Sequence, residues 1–147
     1  MHMPAPPLQN YRASISVPMD AAHARTAIFD EMHLWWTLRA ERTPDGVTAR
    51  FNNSHVTFVF DTNQPLIWRC TDAHMIIEDV ADTTEWTGTC LHWTITPTSD
   101  GCDITLEHKG LNASLDCLDV CTRGWQHFFE NSLLAHLSGQ TPAPETR

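Results

Sequence analysis

The sequence has few basic residues and no long apolar run. Nine lysine and arginine residues stand against 18 aspartate and glutamate residues, so the formal net charge is −9. A surface of that charge repels phosphate groups, which excludes nucleic acid and anionic membranes as expected partners. No segment approaches the roughly 18 consecutive apolar residues of a membrane-spanning helix. We therefore expect a protein that acts on neither a membrane nor a nucleic acid.

Signals of secretion and familiar catalytic motifs are also absent. The first residues contain no basic segment followed by an apolar one, so a secretory signal is not expected. The five cysteines are an odd set without the spacing of a disulfide scaffold, which favours reduced thiols in the cytoplasm. The sequence contains no GxSxG, no Gly-rich phosphate loop and no HExxH motif. No cofactor or metal is therefore expected.

Aromatic side chains are unevenly distributed among the three types. Six tryptophans and six phenylalanines accompany a single tyrosine. They provide more ring surface than a small core needs, which indicates that some of them line a pocket. The length favours one domain over residues 10–140, between a flexible, proline-containing leader (1–9) and a flexible tail (141–147).

Alternation of apolar and polar residues predicts the strands. In the two longest strands it places Thr89, Leu91, Trp93 and Ile95 on the inner face, opposite Cys102, Ile104, Leu106 and His108. Residues 75–80 are ambiguous, because they could form a short strand or an exposed edge that pairs two chains. A monomer and a homodimer both stay open. The predicted strands are 11–17, 47–53, 55–62, 66–72, 85–96 and 102–111.

Helices are predicted near both ends of the chain. Asp20 is a good N-cap for a helix over 21–32, and a short helix or turn follows over 33–40. A long amphipathic helix over 117–139 ends at Gly139. The predicted class is α+β, with a curved antiparallel sheet of about six strands around the C-terminal helix and two short helices after strand 1.

Several short motifs occur in an order and spacing that resemble a known family. They are EWTGT (85–89), HKGL (108–111), CLDVC (117–121), GW (124–125) and SLLAHLSGQ (132–140), together with Pro-Met-Asp before the first helix and the Trp35-Trp36 pair. This pattern resembles the bacterial homologues of the heat-shock-protein ATPase activators (AHSA-type). These proteins belong to the START-related (SRPBCC, pollen-allergen-like) helix-grip superfamily. The likeness covers most of residues 10–140.

The resemblance implies a sheet that grips the C-terminal helix over an apolar cavity. Functions in the superfamily include binding of lipids and other hydrophobic ligands, polyketide cyclisation, hydroxylation and co-chaperone activity. A fold shared by so many activities does not determine which of them this chain has.

His108 is the best candidate for a polar group in the cavity. It occupies the apolar face of its strand, where a neutral imidazole could orient a ligand or act as a general acid or base. The alternative is a buried histidine whose ring nitrogens are satisfied by neighbouring groups. No partner nucleophile or carboxylate is visible on the same face beside it in the sequence, since Glu107 faces water, so the structural role is favoured.

Two other features of the last helix allow more than one interpretation. Cys117 and Cys121 lie on one side of the helix, where they could form a soft-metal or redox site, but packing is the better explanation. Gly124 costs about 1 kcal/mol relative to alanine within a helix. Close approach of the helix to the sheet, or room for Trp125, would offset that cost.

The most economical hypothesis is a cytoplasmic protein that binds a hydrophobic or amphipathic small molecule in an internal cavity. One alternative is an enzyme, such as a cyclase or hydrolase, that uses His108 in the same cavity. The other is a co-chaperone-like module, which is disfavoured because the full activators carry a further N-terminal domain. The predicted ligand-binding residues are Trp36, Phe58, Trp68, Trp93, His108, Trp125 and Phe129.

Overall fold

Seven strands of the described residues form one antiparallel sheet, in the order β1-β7-β6-β5-β4-β3-β2. The structure, a computed structural model, describes residues 8–147. Most of the predicted leader, residues 1–9, therefore lies outside the described residues. The strands are β1 (Tyr11–Val17), β2 (Arg39–Arg42), β3 (Gly46–Phe51), β4 (Ser54–Phe60), β5 (Ile67–His74), β6 (Cys90–Thr98) and β7 (Gly101–Lys109).

Helices follow the first and last strands. They are α1 (Ala21–Asp30) and α2 (Met32–Trp35) after β1, and after β7 a continuous C-terminal helix made of α3 (Leu118–Trp125), a π-helical segment (Gln126–Leu133) and α4 (Leu134–Leu137). This architecture confirms the predicted α+β class, with a curved sheet and a long C-terminal helix. None of the helices within residues 8–147 is long and apolar enough to cross a membrane.

The predicted inner face of β6 and β7 is confirmed. Leu91 lies opposite His108 and Trp93 lies opposite Leu106, and all four side chains are buried. Successive side chains of a strand point to opposite faces, so one apolar face of the sheet packs on the helices. The buried side of the C-terminal helix includes Trp125 and Phe129, as its apolar stripe predicts.

The signals that begin and end the helices also act as predicted. The carboxylate of Asp20 accepts a hydrogen bond from the His23 backbone N–H (2.9 Å) and caps α1. Gly139 has a φ of 74°, a left-handed conformation that glycine adopts at low cost and that ends the C-terminal helix.

The strand pattern differs from the prediction at residues 33–42. The prediction extended a helix or turn to residue 40, but the helix ends at Trp35 and Arg39–Arg42 forms β2 at an edge of the sheet. This strand is charged and largely exposed, so it has no apolar alternation to reveal it. Backbone pairing with β3 determines its conformation.

Two further segments, one left ambiguous by the sequence and one predicted as part of a strand, are turns. Residues 75–80 contain only an isolated bridge between Ile77 and Val80, so they offer no edge strand for pairing two chains. Residues 85–89 precede β6 as a turn, in which Gly88 has a φ of 90°. That conformation interrupts the extended backbone that the flanking threonines favour.

The C-terminal segment lies against the rest of the protein. Residues 141–147 are predicted as a flexible tail. In the structure, however, the backbone of Glu145 is hydrogen-bonded to the residues on either side of Thr37. The Leu38 N–H donates to the Glu145 carbonyl (2.9 Å), and the Glu145 N–H donates to the Trp36 carbonyl (2.8 Å). The Asn52 N–H donates to the carbonyl of Arg147 (2.8 Å). These contacts place the segment beside the β3–β4 turn.

Candidate ligand-binding cleft

A cleft of about 740 Å³ opens at the end of the sheet where β3 turns into β4. This volume lies within the range of small-molecule pockets. Six parts of the chain form its walls: Trp36 after α2, the β3–β4 turn, residues 75–77, the turn that contains Trp86, one side of the C-terminal helix, and residues 143–147. The cleft therefore depends on segments that are distant in sequence.

Three tryptophans form an aromatic wall of the cleft. The rings of Trp86 and Trp125 are stacked, with centroids 5.8 Å apart and planes within 15°. The Trp36 ring lies 5.1 Å from that of Trp125. All three are buried and all three line the cleft. Flat rings of this kind favour contact with apolar or aromatic groups.

The mouth of the cleft exposes apolar side chains to solvent. Ile76 is 58% exposed and Val120 is 40% exposed, and both line the cleft. An exposed apolar patch beside a concave site is typical of a binding surface. At the side formed by the C-terminal segment the lining becomes polar, with Asn52, Glu145 and Arg147.

Gly124 leaves space in the wall that α3 contributes. A Cβ atom built at this position meets no heavy atom within 4 Å, and Gly124 lines the cleft. Close approach of the helix to the sheet therefore does not explain this glycine. Its missing side chain instead widens the cleft beside Trp125.

Only two of the seven predicted ligand-binding residues line the cleft, Trp36 and Trp125. The other five are buried in the core. Four of these are aromatic and form a chain of ring contacts from Phe58 through Trp68 and Trp93 to Phe129, with centroids 6.0, 5.5 and 5.8 Å apart. Large rings thus occupy the space between sheet and helix where a ligand was expected.

His108 is completely buried and both its ring nitrogens are hydrogen-bonded. The Trp125 Nε1–H donates to Nδ1 (3.0 Å), so Nδ1 carries no proton. The Thr89 hydroxyl donates to the Trp86 carbonyl (2.6 Å), so it accepts from the Nε2–H of His108 (2.8 Å). The ring is thereby held as the neutral Nε2–H tautomer.

Burial lowers the pKa of His108 from 6.5 to about 3, because the charged form loses its hydration. An imidazole with that pKa, without a free nitrogen and outside the cleft lining, is poorly suited to general acid–base catalysis at neutral pH. The geometry favours the structural interpretation, in which His108 holds Trp125 and the Trp86 turn in place.

We expect His108 to make the protein less stable as the pH falls below 6.5. The unfolded chain takes up a proton there, whereas the native ring stays neutral down to its pKa of about 3. Well below pH 6.5 the free energy of unfolding therefore decreases by about 1.4 kcal/mol per pH unit. Between roughly pH 7.5 and pH 5 the total decrease is about 2 kcal/mol. Urea unfolding at the two pH values measures this difference.

The matched variant is His108→Gln, which removes the titrating group and should show a flatter pH dependence. Asp20, Asp61 and Asp82 have lowered pKa values, but they titrate below this pH window. If the unfolding free energy had the same slope against pH in both proteins, the effect would come from another group, such as His92, whose pKa is also lowered by burial.

Trp86 is the main cleft residue that sequence reasoning missed. Within a predicted strand over 85–96, alternation places it on the outer face with His92, opposite to Leu91. The structure places it in a turn, where it is buried and its ring lies 4.6 Å from that of His108. The usable signal was Gly88, since a glycine near a strand end favours a turn.

The cysteines at the start of α3 lie beside this turn. Cys121 lines the cleft and its Sγ accepts a hydrogen bond from the Trp86 Nε1–H (3.2 Å). Within residues 8–147, no group of three or more His, Cys, Asp or Glu side chains is arranged so that it could hold a metal ion. All five cysteines are free thiols.

The curved sheet closed by a C-terminal helix defines a protein of the helix-grip fold, which the resemblance of the sequence implied. Among solved structures, the chain is similar to the Aha1 dimer from Colwellia psychrerythraea. That similarity has a TM-score of 0.69 and 18% sequence identity, and covers 88% of this chain and 96% of that one. The predicted likeness to the heat-shock-protein ATPase activators is thus found at the level of fold.

Two further solved structures share the fold. DynU16, a protein in the dynemicin biosynthetic locus, matches with a TM-score of 0.67 and 18% identity over 96% of this chain. This chain spans about half of DynU16, since the match covers 52% of that protein. The protein encoded by BPP1335 from Bordetella parapertussis matches with a TM-score of 0.56 and 16% identity, covering 98% of this chain and 82% of that one. No protein-family model and no curated protein sequence matches the chain.

Proposed function

We propose that this protein binds a hydrophobic or amphipathic small molecule in the cleft beside Trp86. The observation that carries the proposal is the cleft of about 740 Å³ with three tryptophans in its wall. Ligand sites are concave, mostly apolar and partly aromatic, with a few polar groups that orient the ligand. The proposed site differs from the cavity expected from the sequence, because it lies at one end of the sheet rather than within the core.

The distribution of polar groups favours an amphipathic ligand. Apolar side chains such as Ile76, Val120 and Phe128 line the cleft together with the polar residues Asn52 and Arg147, which lie at the side formed by the C-terminal segment. The Arg147 carbonyl also accepts a hydrogen bond from the Arg39 guanidinium (2.9 Å), which holds this polar side together. A ligand with an apolar body and a polar end matches the apolar and the polar parts of the lining.

A cytoplasmic location is part of this proposal, and the five free thiols support it because such thiols persist in a reducing compartment. The protein acts as a monomer or a homodimer. Catalysis by His108 gains no support from its buried, fully hydrogen-bonded ring. A co-chaperone role has only the shared fold in its favour.

The first experiment is native mass spectrometry of the freshly purified protein, followed by denaturing extraction. We expect a co-purifying small molecule, or saturable binding of an apolar fluorescent probe that quenches tryptophan emission through Trp86 and Trp125. Protein unfolded, washed and refolded is the matched empty control. Absence of both a bound molecule and saturable probe binding would contradict the proposal.

A further inference from the structure

Two thiols lie together at the start of α3, and one of them, Cys121, lines the cleft. Cys117 occupies the position just before α3 and Cys121 lies one turn later, with its backbone N–H bonded to the Cys117 carbonyl (2.8 Å). Side chains at this spacing are neighbours on a helix surface. The other three cysteines, Cys70, Cys90 and Cys102, lie on separate strands.

The turn that contains Trp86 positions both thiols. The two carboxylate oxygens of Glu85 accept hydrogen bonds from the backbone N–H groups of Asp116 (2.8 Å) and Cys117 (2.9 Å). The indole Nε1–H of Trp86 donates to the Cys121 sulfur. Adjacent residues of one turn thus hold the backbone at Cys117 and the side chain of Cys121.

The surroundings make the two thiols unequal. A hydrogen bond from Cys117 lowers the pKa of Cys121, and the indole donor of Trp86 lowers it further, against the opposing effects of burial and of the Glu85 charge. The same hydrogen bond and burial raise the pKa of Cys117. These directions favour Cys121 as the thiolate of the pair and Cys117 as the thiol that donates a hydrogen bond to it, and the thiolate is the reactive form of a cysteine.

We propose that Cys121, which lines the cleft, and Cys117 form a peroxide-reactive dithiol. The Cys121 thiolate attacks one oxygen of a hydroperoxide and the O–O bond breaks. Cys121 becomes a sulfenic acid, and the other oxygen takes a proton from solvent and leaves as water or an alcohol. The Cys117 sulfur then attacks the Cys121 sulfur, forming an S–S bond, and the sulfenic hydroxyl leaves as water with the Cys117 proton. One peroxide is reduced and the two thiols are oxidised.

Closing the disulfide changes the cleft wall. Cys117 and Cys121 must move closer together than neighbours on a helix, and residues 112–117, which precede α3 without regular helix, allow that movement. The indole Nε1–H of Trp86 then no longer has the thiol or thiolate of Cys121 as its hydrogen-bond acceptor. Since Trp86 stacks on Trp125, oxidation is expected to change tryptophan fluorescence as well.

The test treats the reduced full chain, without any added ligand, with hydrogen peroxide. We expect an intact mass reduced by two hydrogen atoms and a peptide map that joins Cys117 to Cys121. The variant Cys117→Ser should stop at a Cys121 sulfenic acid, which dimedone traps. Cys90→Ser, at a half-buried cysteine outside the pair, should form the disulfide as the wild type does.

Trp86 acts in this proposal as a positioning residue. Trp86→Phe keeps an aromatic ring but removes the N–H donor, so the pH midpoint for alkylation of Cys121 should rise relative to wild type. Oxidation of the wild type without a Cys117–Cys121 link, or faster reaction at Cys90, would overturn the proposal. These measurements need no bound ligand, so their failure is separate from failure of the proposed binding function.

Discussion

The variant Gly124→Leu is expected to weaken binding of an apolar probe by at least about tenfold, equivalent to about 1.4 kcal/mol. No heavy atom lies within 4 Å of a Cβ at this position, so the leucine side chain extends into the cleft without displacing the core. Leucine also favours the helix over glycine by up to about 1 kcal/mol. Fluorescence titration should therefore show a lower affinity for the probe, whereas thermal unfolding should show an equal or higher stability of the protein.

The matched control is Gly124→Ala. It has the same helix-propensity gain but adds only a methyl group, so most of the cleft volume remains and the affinity should stay close to wild type. A Gly124→Leu protein that binds the probe with wild-type affinity would show that the site lies elsewhere. A loss of binding together with a loss of stability would point to damage to the fold instead.

The variant His108→Ala is expected to lower the free energy of unfolding by about 3 kcal/mol or more. It leaves a cavity beside two tryptophans and removes the acceptor of the buried Trp125 N–H. Truncation of a large buried side chain to alanine costs roughly 2–5 kcal/mol, and an orphaned buried donor costs about 1–3 kcal/mol. Chemical denaturation at neutral pH measures the loss, and because Trp125 lines the cleft, probe affinity should fall as well.

Two comparisons separate these contributions. His108→Phe keeps a ring of similar volume and loses the hydrogen bonds, so its cost should be smaller than that of His108→Ala. His92→Ala, on the neighbouring strand at a partly exposed position, should change stability by less than about 1 kcal/mol. Equal costs for His108→Ala and His92→Ala would contradict the structural role of His108.

The order of elements and the buried face of the sheet were predictable because they depend on local pattern. Alternation in β7 placed His108 among buried apolar residues, and the structure confirms it. The resemblance strengthened the expectation that the sheet curves around the C-terminal helix, which the similar solved structures support. Local pattern did not predict β2, because this charged edge strand takes its extended conformation from backbone pairing with β3.

The candidate site was predicted only in part. Trp36 and Trp125 line the cleft, but alternation in the sequence predicts that Trp86 lies on the outer face of a strand. The error arose from Gly88, whose left-handed backbone turns the chain and brings the indole inward. The sequence predicts a flexible tail over residues 141–147, because nothing in its composition reveals the backbone hydrogen bonds that Glu145 and Arg147 make.

The sequence by itself determined which side chains face the core, where α1 begins, where the last helix ends, and that aromatic surface is abundant. Each of these follows from the period of a strand or helix, from a capping residue or from composition. Only the tertiary structure decided where the empty space lies, because packing determines which rings fill the core and which border a void. Segments far apart in sequence form that void, and its position depends on how the Trp86 turn, α3 and the C-terminal segment meet.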